Sequence, residues 1–376
     1  MDLRETIGRI QPPDEEAAAR CRAHWNRIAK PLYGLGALED LVVRIAAAQG
    51  TQHVDIRKKA LVIFCADNGV VAEGVSQTGQ ETTAIVAGNF VDGKSCAAIM
   101  CRRAGVDLFP VDAGMAVDTP RVERRKVRCG TSNMAKGPAM TREEAAATIG
   151  AGIAKAVELA KGGYRIIASG EMGIGNTTTS SAVTAALLSM EPAQVTGAGA
   201  GLSAEGVQKK IAVIRRAIEI NRPDPRDPLD VLAKVGGFDI AAMTGLFLGG
   251  ASMHVPVVID GFISAAAALI AVRLAPDARF YMLPSHISEE PATKSVMAAL
   301  GFGDSPENGP AGGIRPVIHA GMHLGEGTGA VALFPLLDMA VEIYEKMDTF
   351  GGIGVEQYED YRSDFSRETG KENGGD

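Results

Sequence analysis

The chain has 376 residues, with 38 Lys and Arg against 45 Asp and Glu and a net charge of −7. That acidic balance excludes a general nucleic-acid or anionic-membrane surface, which needs clustered Lys and Arg. Hydrophobic residues at 46% and charged residues at 22% exclude a disordered chain, and leave 45 glycines, well above the average usage of about 7%, to be explained.

In chain order, residues 14–30 are expected to be helical, Pro31–Gly36 breaks that helix, and a second runs from Leu38 to Gln49. Ala60–Ala66 is a continuous apolar run ending at Asp67-Asn68-Gly69, as expected of a strand buried on both faces. Similar runs follow at Val106–Val111, Arg165–Ala168, Val255–Ile259 and Phe280–Leu283, separated by Ala-rich helical pattern. A helix over Val331–Met347 closes the ordered part. The order predicts an α/β fold, a parallel Rossmann-like sheet flanked by helices. Residues 1–58, joined by 331–355, form a small helical subdomain in this reading. Residues 59–330 form the α/β catalytic domain, and polar, patternless residues 356–376 form a disordered tail.

Cys21, Cys65, Cys96, Cys101 and Cys129 are odd in number and make no C-x-x-C pair, so reduced thiols and no metal site are expected. The N-terminus has early acids and no apolar core, unlike a signal peptide. The longest apolar stretch, Ile259–Leu274, is interrupted by Asp260 and Arg273 and is too short to span a bilayer. A cytoplasmic protein is expected.

Three constellations carry chemistry. Gly170–Ser180 (GEMGIGNTTTS) follows an apolar run, and its glycines, helix start and threonine hydroxyls suit a phosphate. A tight turn with a threonine cap fits the same spacing. In His323–Gly329 (HLGEGTG), Glu326 stands between glycines at a helix entry, either as a desolvated general base or as an acid on the helix dipole. Gly88–Ser95 (GNFVDGKS) matches the P-loop pattern, with Thr82–Ala87 as a possible strand before it and Val257–Asp260 as a possible acidic strand. The same residues read equally well as an amphipathic helix and a turn.

Several segments in one order resemble a single family, the nicotinate-nucleotide–dimethylbenzimidazole phosphoribosyltransferases. They are Ala66–Ser76 with Gln80-Glu81, Val111–Gly114, Gly137–Met140, Gly170–Thr178, Val195–Gly201, Val235–Gly237, Asp260–Ser264, Ser285–Pro291 and Leu324–Ala330. The resemblance implies transfer of phosphoribose from nicotinate mononucleotide to a base such as 5,6-dimethylbenzimidazole, giving an α-ribotide and nicotinate without a cofactor or metal. It implies Glu326 as general base and Glu171 as the second carboxylate. It places the donor on Gly173, Gly175, Asn176, Thr177, Thr178, Gly199, Gly201, Lys210 and Ser285, and the acceptor base near Ser76, Gln77, Gln80 and Leu324. It also implies a homodimer acting on small molecules. The chain departs from the family at the acceptor loop, where Ser76–Gln80 carries no aromatic ring, and at His323, where arginine is usual. Adenine, phenolics and other benzimidazoles therefore stay open as acceptors. The alternatives are a P-loop NTPase using Gly88–Ser95 and a non-catalytic partner subunit of the same family.

Overall fold

The structure, a computed structural model, describes residues 2–303 and 314–361. Its centre is β1 (Lys59–Ala66), every residue of which is buried. The strand's period of two divides it between two cores: Ala60, Val62, Phe64 and Ala66 face one, Leu61, Ile63 and Cys65 the other. That is why the run is continuously apolar rather than alternating.

The other strands are β2 (Val106–Gly114), β3 (Glu123–Arg124), β4 (Ile166–Met172), β5 (Val257–Ile259) and β6 (Met282–Pro284), in the order β3-β2-β1-β4-β5-β6. All pairings are parallel. The expected α/β class is what the chain forms, with three local corrections. β4 continues past Ala168 because β1 still pairs with it, Phe64 opposite Glu171 and Cys65 opposite Met172, so Gly170–Met172 are strand rather than loop. Phe280 lies in a 3₁₀ turn, Pro276–Tyr281, and β6 starts only at Met282. Thr82–Ala87 is not a strand but part of the helix Glu81–Val91, which contains Gly88.

That last correction removes the P-loop. A turn at Asp92–Ser95 joins this helix to Cys96–Ala104, Ser95 caps the second helix through the Ala98 amide at 3.1 Å, and Arg102 donates to the Gly93 carbonyl at 2.7 Å. No strand feeds the loop, and its backbone is already engaged.

On one face of the sheet, helices Arg142–Lys161 and Phe238–Ser252 pack with their backbones in contact. A Cβ on Gly152 would run into the Ala242 carbonyl, and one on Gly245 into the Ile149 carbonyl. On the other face, helices from both chain ends meet: Glu15–Arg27 packs on Thr328–Lys346 with the Trp25 and Tyr344 rings 5.0 Å apart. Residues 356–361 are exposed and irregular, with the Tyr358 ring edge-to-face against Phe350, centroids 4.9 Å apart. The rest of the tail expected to be disordered, 362–376, lies outside the described residues.

Gly245→Ala is expected to destabilise the chain by about 1–3 kcal/mol, since the new methyl meets backbone that cannot move aside. Gly150→Ala, where a Cβ meets nothing within 4 Å, should be neutral or stabilising by up to ~1 kcal/mol through helix propensity. Urea titrations of both variants check the contrast, and equal losses would contradict the packing account.

Candidate functional site

In this strand order the chain leaves β1 towards β2 on one side and reaches β4 on the other, so the carboxyl ends of β1 and β4 open a crevice. Asp67 and Asn68 follow β1, Glu171 lies near the end of β4, and Asp260 follows β5. Glu326 arrives from the loop before helix Thr328–Lys346.

One wall is built for an anion. Gly175, at φ 90°, precedes the helix Asn176–Leu188, and Lys210 reaches its first turn from helix Ala204–Asn221. The Lys210 ammonium, 1% exposed, donates to Thr177 Oγ1 at 2.7 Å and to the Gly197 carbonyl at 3.4 Å. Burial lowers its pKa to about 8, and Glu290 works against that shift. A buried ammonium at a helix N-terminus is a point of demand for negative charge. The loop carrying Gly199 (φ 55°) and Gly201 (φ 96°) passes so close that a Cβ on Gly199 would stand 2.9 Å from Thr177 Oγ1.

Of the residues expected on this wall, Thr177, Gly199 and Lys210 converge, whereas a Cβ on Gly173 would meet the Ala66 carbonyl and Asp239, one on Gly175 would meet Val71 and Asn68, and one on Gly201 would meet Gln77. Asn176 and Thr178 turn inward and are buried. The Asn176 amide donates to Glu171 and, at 3.0 Å, to Asp239 Oδ2. Ser285 is also buried away from the crevice, its hydroxyl donating to the Ile259 carbonyl at 2.7 Å.

The opposite wall holds the carboxylates. Burial, reinforced by the charge of Asp239, pushes Glu171 up to about 8, and burial raises Asp239 to about 6. Glu326 is raised by burial and by Asp260, with the Ala97 amide working the other way. Its Oε2 is buried with no hydrogen-bond partner among the described residues, and its backbone N–H reaches Glu171 Oε1 at 3.4 Å. The two glutamates therefore meet at one point. One is held in a buried network, and the other presents a free oxygen suited to taking a proton.

The loop expected to meet the acceptor joins both walls. Gln80 donates to the Asn68 carbonyl at 3.1 Å, and Gln77 to the Gly201 carbonyl. Ser76 Oγ accepts from the Thr78 amide at 3.4 Å, a local turn contact, and Leu324 is 55% exposed. Sequence reasoning assigned no role to Asp67, Asn68, Asp239 or His286. Asp67 and Asn68 had a legible signal, since they end the first apolar run where ligands sit in such sheets. Asp239 had a weaker one, a lone charge in the apolar helix Phe238–Ser252.

Known proteins resemble this chain over nearly its whole length. A phosphoribosyltransferase family model matches residues 10–355. The nicotinate-nucleotide–dimethylbenzimidazole phosphoribosyltransferase of Ruminiclostridium cellulolyticum is 44% identical over 360 residues, 95% of this chain and 99% of the relative. That of Roseiflexus is 44% identical over 356 residues, 94% of this chain and 98% of the relative. The crystal structure of CobT from Thermus thermophilus superposes with a TM-score of 0.84 at 39% identity, covering 91% of this chain and all of that one.

Glu171 binds its proton more tightly folded, at about 8, than at its ordinary 4.5. The stability this confers is complete below pH 4.5 and is lost as pH rises through 8. Glu171→Gln should therefore gain Tm relative to the unsubstituted chain between pH 5 and pH 8 without ligand. Thermal scans at the two pH values check this, and a constant Tm difference would contradict it.

Proposed function

The chain belongs to the phosphoribosyltransferase family that acts on nicotinate nucleotide and dimethylbenzimidazole, and from that premise we propose how its crevice carries out the transfer. The enzyme moves phosphoribose from nicotinate mononucleotide to a lower-ligand base. The observation that carries the mechanism is the free, buried Oε2 of Glu326 in the crevice whose other wall holds Lys210.

The donor's 5′-phosphate sits at the start of helix Asn176–Leu188, on Lys210 and Thr177, with the Gly197–Gly201 loop near the nicotinate carboxylate. Its pyridinium brings a positive charge to a buried acidic wall, which favours the ionised forms of Glu171 and Asp239. Glu326 takes the N–H proton of the acceptor base. The other ring nitrogen attacks C1′ from the face opposite nicotinate, and the bond from C1′ to the pyridinium nitrogen breaks with its electron pair going to nicotinate. The anomeric centre inverts, and the product is an α-ribotide phosphate. Glu171 faces the charge that develops on the ribose.

The acceptor contacts come from Ser76, Gln77, Gln80 and Leu324. Without a stacked ring, worth on the order of 1 kcal/mol, this pocket discriminates less by stacking, so more than one flat base is expected to react. A homodimer belongs to the same reading, supported by Ile85 and Ile99, which stand 62% and 52% exposed on the apolar helices beside the crevice. A cytoplasmic setting is supported by its scattered, free cysteines.

Incubation with nicotinate mononucleotide and a panel of benzimidazoles, purines and phenolics should release nicotinate with at least one benzimidazole, and no release with any base would overturn the reading. Glu326→Gln should lower kcat by roughly 10²–10⁴. Lys210 loses its proton above about pH 8, so the advantage in donor KM of the unsubstituted chain over Lys210→Ala should hold below that pH and shrink above it. In Lys210→Ala the KM should be high at all pH values, and an advantage that persists unchanged above about pH 8 would contradict the assignment.

A further inference from the structure

Glu326 has φ 60° and stands between Gly325 at 83° and Gly327 at 77°. Glu326 is the one residue of this left-handed arch with a side chain, which costs of the order of 1 kcal/mol and needs restraint from outside the arch. The restraint comes from side chains that the transfer chemistry does not touch. Asp260, 2% exposed, accepts the Gly327 amide on Oδ2 at 3.1 Å and the Ala330 amide on Oδ1 at 3.0 Å. His286, 3% exposed at the end of β6, fills the space that a Cβ on Gly329 would need, and Asp260 Oδ1 lies 3.0 Å from that same point.

Ser285 decides how the ring is held. Its hydroxyl has one hydrogen, directed at the Ile259 carbonyl 2.7 Å away. Its 3.0 Å contact with His286 Nδ1 is therefore one in which the ring nitrogen donates. The Ser-His-Asp trio is thus no nucleophilic triad, because the serine is fully buried with its hydrogen committed.

We propose that Asp260 and His286 are positioning residues for Glu326: the carboxylate grips the arch by two amides, and the imidazole wedged under Gly329 keeps that grip in register. The inference rests on the general-base reading of Glu326. It adds that the base is aimed from β5 and β6, two strands on the far side of β4 from β1. A displacement of about 1 Å at a reacting group can cost ~10²-fold in rate, so loosening this clamp should appear in turnover before it appears in binding.

The test is His286→Ala beside His286→Asn, in which the amide can still donate to Ser285. For each, kcat and the donor KM are measured, and Glu326 is titrated by ¹³C NMR of carboxyl-labelled glutamate, assigned with Glu326→Gln. His286→Ala should lower kcat by ~10–100-fold with the donor KM changed less than ~2-fold. Its Glu326 midpoint should move down towards that of an ordinary carboxylate, and His286→Asn should recover most of both. A folded His286→Ala with unchanged kcat and unchanged Glu326 titration overturns the proposal. If His286→Ala does not fold, Asp260→Asn, which keeps the shape of the side chain, carries the kcat-against-KM comparison, and unchanged kcat overturns it there. The two readings fail separately: if Glu326→Gln leaves turnover intact, the general-base reading falls, while the titration of Glu326 still decides whether the clamp exists.

Discussion

Asp260 holds the amides of Gly327 and Ala330, and the usefulness of Glu326 depends on that grip. A general base must keep a lone pair unsatisfied in a place where water does not quench it, which is an unfavourable state for a carboxylate. The chain sustains it by fixing the backbone around Glu326, while the Ala97 amide engages its carboxylate and leaves Oε2 free. Oε2 stays without a partner while three restraints act on the neighbouring peptides: Asp260 below, Glu171 on the Glu326 amide, and Gly170 packed against the Glu326–Gly327 peptide.

The same logic runs through the rest of the crevice. Asp67, Glu171, Asp239 and Asp260 are all raised by burial, while Lys210 is lowered by it. Lys210 donates to Thr177 and the Gly197 carbonyl rather than to Glu171, Asp239 or Asp260, so the ammonium and these carboxylates are each left with a demand that a substrate can meet. A donor that carries a phosphate at one end and a pyridinium cation near the other satisfies both demands at once. Buried charges left this way reduce the stability of the empty protein and raise its affinity for the right ligand.

The α/β class and its apolar strands were legible because strands buried on both faces read as unbroken apolar runs. The meeting of Glu171 and Glu326 was legible only through the family resemblance, since the residues around each also fit a capped turn or an acid on a helix dipole. The end of β4 was not, because a strand carrying Gly170 and Glu171 contradicts strand propensity and is held only by pairing with β1. Nor were the roles of Asn176 and Ser285. Spacing places a side chain on an element but does not say whether it turns to the crevice or to a buried neighbour, as both do here. The glycine excess proved to have two causes. Loops such as 325–327 need left-handed backbone, whereas Gly152 and Gly245 let two helices touch, and a glycine inside a helix otherwise reads only as a weak point.

The most direct test is a crystal structure of the chain with nicotinate mononucleotide and a reactive base bound. The account predicts the 5′-phosphate within hydrogen-bond distance of Lys210 Nζ and Thr177 Oγ1, and a Glu326 carboxylate oxygen against the acceptor nitrogen on the side away from C1′. A phosphate bound elsewhere, or an acceptor whose ring nitrogens both lie out of reach of Glu326, would contradict it.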